Sequence, residues 1–358
     1  MKKSTDNAIQ GLLANMEKRY GRGVLVQASK AVSLDIRRFP TGCLALDFAL
    51  CGGWAEGRMI EIMGAFSTCK STLATLACVE FMKKYPEAFA VYMDLEGSCD
   101  KVWLEKLGGD LDRFVLVRPA GGEEAGDAMV EILRDLRNTN VPVLAVLDSI
   151  AAMVPTKETE EGMDWGQPGL HAKLVTKFCR KVLSELRQDL MEENPQFTLL
   201  LINQVRERVG VMFGSPEIGT GGRAREFFVS QQVKLTREAF VRKKVQTPQK
   251  KDIQETIGLK IKFTVSKNKA GGPQDERGGF RFHTKPRDGN PSGTIDNITD
   301  LIDYGLYYGV LAKVASKLEF QGKSHTQKAF KELLRTDPKV YAEVRNALMA
   351  VAVERFRQ

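Results

Sequence analysis

MIEIMGAFSTCKST, Met59–Thr72, decides the fold. Met59–Met63 is a short apolar run of strand length, and Ser71–Lys84 carries helical spacing. The turn between them nearly matches G-x-x-x-x-G-K-[ST], with Gly64, Lys70 and Ser71 in place. Ala65, Phe66, Ser67 and Thr68 form the body of that turn, and Thr72 follows it. In this design backbone N–H groups wrap a phosphate, the lysine neutralises charge, and the hydroxyl holds Mg²⁺. Cys69 stands where the last glycine belongs. Glycine there admits close approach and unusual backbone angles, so Cys69 predicts a strained but viable loop.

Strands continue outward from this motif at AVYMD (90–94), FVLV (114–117), VLAVLD (143–148) and LLLIN (199–203), with a helical stretch at His171–Leu190. Apolar strands joined by helices predict an α/β fold around a mainly parallel sheet. QVKLT (232–236) and LKIKFTVSK (259–267) read as later, antiparallel strands, and the polar Arg242–Glu255 between them as an exposed or disordered hairpin loop. Beyond Arg281 helices follow at Asn297–Tyr308, Gln327–Leu334 and Pro338–Arg357. Lys313, Lys317, Lys323, Lys328, Lys331 and Arg335 cluster there, which reads as a second, weaker DNA-contacting surface rather than only a solvated face. We expect residues 1–40 to be a helix and linker, 41–280 the core, and 281–358 a small basic α+β domain.

At the other end, Ile9, Leu12, Leu13, Met16 and Tyr20 form one helical stripe, capped at Thr5 or Asp6 and ended by Gly21 and Gly23. The linker Arg22–Pro40 separates this helix from the core, so its stripe either folds back or packs on a neighbouring subunit.

Composition excludes several classes. No apolar run approaches the ~20 residues that span a bilayer, and MKKSTDNAIQ turns polar too early for a signal peptide. Cysteines 43, 51, 69, 78, 99 and 179 are scattered without CxxC, and there are only three histidines. That pattern argues against a zinc site or disulfide framework and for a reduced, cytoplasmic setting. The net charge of +8 over 358 residues hints at a polyanionic partner.

Three acids at strand ends complete the chemistry. Asp148 closes VLAVLD, where an aspartate can hold the water shell of Mg²⁺. Asp94 and Glu96 tip AVYMDLEG, at the edge where open α/β sheets hold ligands. Glu96 is the candidate base for an attacking water. Each alone is an ordinary turn acid; together with the phosphate loop they define a site. LLLINQVRERVGVMFGSPEIGTGG, Leu199–Gly222, then runs from a strand through Gln204 into a long loop. An exposed Met212-Phe213 pair in that loop suits a wedge between stacked bases.

These stretches, with PTGCLALDFAL (40–50) and LDSIAAMVP (147–155), resemble the RecA family of bacterial and phage recombinases from about Asp6 to Ala352. The resemblance implies a RecA-type core and an N-terminal helix that polymerises onto the next subunit, with ATP bound between subunits of a helical filament. It implies that Lys70 and Ser71 hold phosphate and Mg²⁺, Asp148 supports the metal, and Glu96 acts on water. It gives Gln204 the coupling of nucleotide state to DNA, and Asp100 and Trp103 the adenine. Lys267 and Lys269 would reach the neighbour's γ-phosphate, and Phe227 would lie at the subunit interface. Two loops, Lys157–Gly169 and Val205–Gly222, would contact DNA. Arg206, Arg208 and Arg223, with the amides of Gly221 and Gly222, would meet phosphates. Met163, Trp165, Val209, Met212 and Phe213 would separate base triplets. The acids of the first loop restrict its contact to the tip.

The implied function is ATP-dependent homologous recombination: filaments on single-stranded DNA, homology search in double-stranded DNA, and strand exchange in repair and the SOS response. Single-strand-binding and mediator proteins are implied partners, and no membrane. Alternatives are a nucleotide-gated DNA-coating filament with little turnover, motivated by Cys69, and a RecA-like hexameric helicase. Phe66 stands where the family has an acid and Glu226 where a base is common. The chain ends VAVERFRQ without the family's acidic tail, so duplex binding is expected to depend less on free Mg²⁺.

Overall fold

The computed structural model describes residues 2–31, 35–137, 139–161, 167–191, 196–207, 217–246, 252–287 and 289–357. The main sheet is built on β3 (Met59–Gly64), β4 (Phe89–Asp94), β5 (Phe114–Val117), β6 (Val143–Asp148), β7 (Phe197–Glu207) and β9 (Gln231–Gln246). These six pair in parallel in the order β9-β3-β7-β6-β4-β5. β10 (Asp252–Asn268), β11 (Arg277–His283) and β12 (Thr294–Ile295) extend the β9 edge antiparallel, and β8 (Glu217–Gly219) pairs with β7. β1 (Arg38–Phe39) and β2 (Trp54–Ala55) form a separate short pair. The expected α/β architecture with a mainly parallel sheet is the one observed.

Continuous apolar runs are what a strand covered on both faces requires. Leu144 and Val146 of β6 join one core with Ile60, Ile62, Leu200 and Ile202, under α3 (Lys70–Lys84). Val143, Ala145 and Leu147 point the other way, into a second core with α5 (Gly122–Leu136) and α7 (Leu170–Met191). α2 (Leu44–Ala49) lends Leu44 and Phe48 to a third core. That core is shared with α8 (Asn297–Tyr307), α9 (Gln327–Thr336) and α10 (Pro338–Arg357). Beside these helices β13 (Ala312–Val314), β14 (Lys317–Phe320) and β15 (Lys323–Thr326) form a small antiparallel sheet. The remaining helices are α1 (Lys2–Tyr20), α4 (Lys101–Lys106) and α6 (Thr156–Glu160).

Several expectations need correction. Arg242–Glu255 is not mainly a loop: β9 and β10 stay paired out to Gln246 opposite Asp252. Val241, Val245 and Ile253 alternate with polar residues on that ladder, and solvent on both faces disguises the period in the sequence. β9 is antiparallel to β10 but parallel to β3. α1 begins at Lys2, so Thr5 and Asp6 lie inside it rather than capping it. The start of the first expected DNA loop is helical, as α6. None of the α1 side chains from Ser4 onward is buried, and Leu12 remains 55% exposed. The stripe of α1 therefore does not fold back into the core.

Two acids, the buried Asp47 and the half-buried Asp300, sit where α2 meets the C-terminal helices. Asp47 accepts from Thr41 N (2.7 Å) and Arg345 Nη2 (2.9 Å), yet burial outweighs the arginine and lifts its pKa to about 6. Burial, reinforced by Asp296, pushes the Asp300 carboxyl up to about 7. Both folded-state values exceed the unfolded ones. Their contribution is therefore fully present below about pH 4 and is lost as pH rises through about 6 for Asp47 and 7 for Asp300. Asp300→Asn is expected to raise stability at pH 8 by roughly 1–3 kcal/mol and to give no gain at pH 4. Urea denaturation at the two pH values checks this.

Candidate nucleotide and DNA site

Parallel pairing places the chemistry on one edge. Gly64 lies opposite Gln204, and Asp94 opposite Asp148, all at the carboxyl ends of their strands. The loop after β3 turns through Ser67 and Cys69, both at positive φ, and Cys69 at φ 65°, ψ 25° caps α3. The expected strain at Cys69 is thus present as a left-handed residue with a Cβ. Thr68 Oγ1 and Lys70 Nζ each donate to Ala65 O at 2.8 Å, which closes the loop on itself. Burial lowers the Lys70 pKa, while Asp148 and Glu96 act against it. Burial pushes the Cys69 thiol up to about 12, so it stays protonated at neutral pH.

Asp148 is buried and accepts from Tyr92 Oη at 2.8 Å, with the Ser71 side chain close enough to lower its pKa. Its pKa is raised by burial first, against the polar side chains of Ser71 and Tyr92, with Glu96 and Asp94 adding to the rise. Asp94 serves the backbone instead. It accepts from Ser98 N and Cys99 N at 3.0 Å and shapes the turn that carries Glu96. Glu96 Oε1 accepts from Ser149 Oγ (2.5 Å) and Gln204 Nε2 (2.9 Å). Both donors engage Oε1, so Oε2 is the oxygen available to a water. Sequence reading named Glu96 and Gln204 but gave Ser149 no role.

Asp100 caps α4 by accepting from Trp103 N at 2.7 Å. The half-buried Trp103 ring meets Phe282 edge-on, with Lys106 Nζ 5.6 Å from its centre. Phe66 is 78% exposed on the phosphate loop, 5.7 Å from the Arg237 guanidinium. Phe227 is 77% exposed, so it is no part of the core. Lys267 lies opposite Gln232, which pairs with Glu61, three residues back from Gly64 along β3. Lys267 Nζ donates to Glu226 O, and its pKa is lowered by burial and by Lys269. The two lysines are thus set apart from their own chain's phosphate loop.

The second loop returns through Gly221 and Gly222, both at positive φ. A Cβ on Gly221 would sit 2.9 Å from Val175 Cγ1, so only glycine fits against α7. Arg223 is exposed. Arg206 belongs to β7, with its side chain outside the described residues. Met163, Trp165, Arg208, Val209, Met212 and Phe213 lie outside the described residues.

Beneath this loop lies a network the sequence reading missed. Glu61 and Arg225 are both 0% exposed, and Arg225 Nε donates to Glu61 Oε1 at 2.7 Å. Asn203 Nδ2 donates to the same oxygen (2.7 Å) and Gln232 Nε2 to the other (2.6 Å). An acid inside the apolar run MIEIM was the available signal; Arg225, 164 residues away, offered none.

The sheet, the loop and the strand-end acids define a P-loop nucleotide-binding protein of the α/β class. The family model described as the RecA N-terminal domain matches residues 7–278. The chain is 31% identical to Protein RecA of Methylobacterium radiotolerans, covering 97% of this chain and 88% of that one. It is 32% identical to Protein RecA of Aquifex aeolicus, covering 95% and 92%. The chain belongs to the RecA family, and it is a recombinase of DNA recombination and repair with DNA-dependent ATPase activity.

Removing one member of the buried pair leaves the other charge uncompensated. Glu61→Ala or Arg225→Ala alone is expected to lower stability by about 3–5 kcal/mol, read as a shifted urea midpoint.

Proposed function

We propose that this chain assembles with ATP and Mg²⁺ on single-stranded DNA as a helical filament, searches double-stranded DNA for homology, and exchanges strands. The observation that carries this reading is the Gln204–Glu96 hydrogen bond of 2.9 Å. It joins the entry of the second loop to the carboxylate best placed to act on water. Hard oxygen donors, the Ser71 hydroxyl and the Asp148 carboxylate, lie side by side and fit Mg²⁺. The metal, when bound, neutralises charge on the phosphates.

Lys70 and the amides of residues 64–72 hold phosphate, and Asp100 and Trp103 take the adenine. Ser149 positions Glu96, which orients and deprotonates the water. Gln204 exchanges Glu96 for the γ-phosphate when ATP is bound, and this exchange sets the posture of the loop that carries Met212 and Phe213. Lys267 and Lys269 stabilise charge on the neighbouring subunit's phosphate. Residues 1–40 serve assembly, with the uncovered stripe of α1 and the exposed Phe227 meeting adjacent copies. Residues 41–280 hold nucleotide and DNA, and 281–358 guide duplex. Phosphate contacts from Arg206, Arg208, Arg223, Gly221 and Gly222 make binding nearly sequence-independent. The setting is cytoplasmic, with single-strand-binding and mediator proteins as further partners.

Cys69 favours one second reading, a DNA-coating filament with slow turnover, because a left-handed non-glycine residue stands in the phosphate loop.

The decisive test is ATP-dependent joint-molecule formation between circular single strands and linear duplex. Joint molecules, filaments by electron microscopy and a DNA-stimulated ATPase are expected, and their absence overturns the reading. Affinity for oligonucleotides is expected to fall with salt, with a slope near −0.7 per phosphate contacted. Phosphate release by wild type and Cys69→Gly separates the two readings: near-zero wild-type turnover that the glycine restores favours the coating filament.

A further inference from the structure

The buried network beneath the second loop touches every moving part of the proposed cycle. Glu61 sits on β3, the strand that ends in the phosphate loop. Arg225 Nη1 donates to the carbonyls of Gly222 (2.5 Å) and Gly219 (3.3 Å), which are the loop's exit. Asn203 Nδ2 bridges Glu61 and Thr220 O (3.1 Å). Thr220 N and Oγ1 donate to Gln204 O at 3.1 and 2.9 Å. Glu226, next to Arg225, accepts from Lys267 through its carbonyl.

We infer that Glu61 and Arg225 are a positioning pair that couples DNA at Gly221–Gly222 to Gln204 in the same subunit and to Lys267 facing the next. The inference rests on the function proposed above. Its physical basis is threefold. A planar guanidinium reaches a carboxylate and two carbonyls at once, which a lysine ammonium on a flexible stem cannot do with the same fixity. The pair is sealed from water, so salt that strips exposed phosphate contacts leaves it intact. Partners on β7, on β9 and just past the loop exit converge on one carboxylate of β3. A displacement of the glycine pair therefore reaches the β3 and β7 ends directly through hydrogen bonds. Arg225 Nη2, 3.8 Å from the Glu226 carboxylate, makes no hydrogen bond among the described residues, so this corner has a spare donor for a second arrangement.

The test compares the full-length wild type with the charge-free pair Glu61→Gln/Arg225→Met and with Arg225→Lys. Removing both charges avoids a stranded ion, and thermal unfolding verifies folding. ATP KM and kcat are measured with and without poly-dT. The paired variant is expected to keep ATP KM and DNA-free turnover within about twofold of wild type. Its stimulation by DNA is expected to fall roughly tenfold, with Arg225→Lys intermediate. Stimulation within about twofold of wild type in the paired variant overturns the coupling role and leaves the recombinase reading standing. Parallel loss of ATP KM, DNA-free turnover and stimulation also overturns it, since that is the mark of a purely structural role. A wild type that poly-dT does not stimulate overturns both inferences together.

Discussion

Backbone pairing of β3 with β7 is the constraint on which the site depends. It fixes Gly64 beside Gln204 in a ladder of six residue pairs, Met59–Leu199 to Gly64–Gln204. Neither strand can slip by one residue without turning its inward side chains to the opposite face. Here both faces are buried, by α3 on one side and by α5 and α7 on the other, so register is held twice over. The phosphate loop and the entry to the second loop inherit their spacing from that ladder, and the adjoining β6–β7 and β4–β6 ladders set Asp148 and Asp94 alongside. The side chains then need only short reaches, such as Ser149 to Glu96 and Tyr92 to Asp148.

Much of this was legible in the sequence, for a physical reason. Strand-end motifs are local: Met59–Thr72 carries strand, turn and helix in fourteen consecutive residues, and continuous apolar runs leave little alternative to buried strands. Cys69 was readable as a strained position because the geometry of that turn is stereotyped. The resemblance gave Gln204 and Glu96 separate roles near the phosphate, but not their contact, since 108 residues separate them. Glu61 was readable as an anomaly but not as a hub. Its partners Asn203, Arg225 and Gln232 come from two later strands and a turn, and look like ordinary polar residues in their own neighbourhoods. The outer β9–β10 ladder escaped detection because a ribbon wet on both faces carries little hydrophobic period.

The C-terminal region shows a similar division. Its helices announce themselves through apolar spacing, whereas α2 is legible only as part of a family signature. Yet α2 is the element that ties this region to the sheet, with Phe48 stacked on Tyr308 at 4.6 Å and Asp47 bound to Arg345. Two acids kept from water at this seam make its cohesion weaken as they ionise. The seam thus differs from the Glu61 network in that burial outweighs the one cation, Arg345, that reaches Asp47.

The left-handed turn at Cys69 narrows the chemical alphabet of the phosphate loop. A side chain branching at its first carbon would crowd the neighbouring peptide, whereas a single sulfur on that carbon does not. Among small residues cysteine also brings an oily, polarisable tip, and this one packs partly against the core beneath α3. What glycine would leave as bare backbone is here a peg, trading freedom of the loop for adhesion to the floor below it.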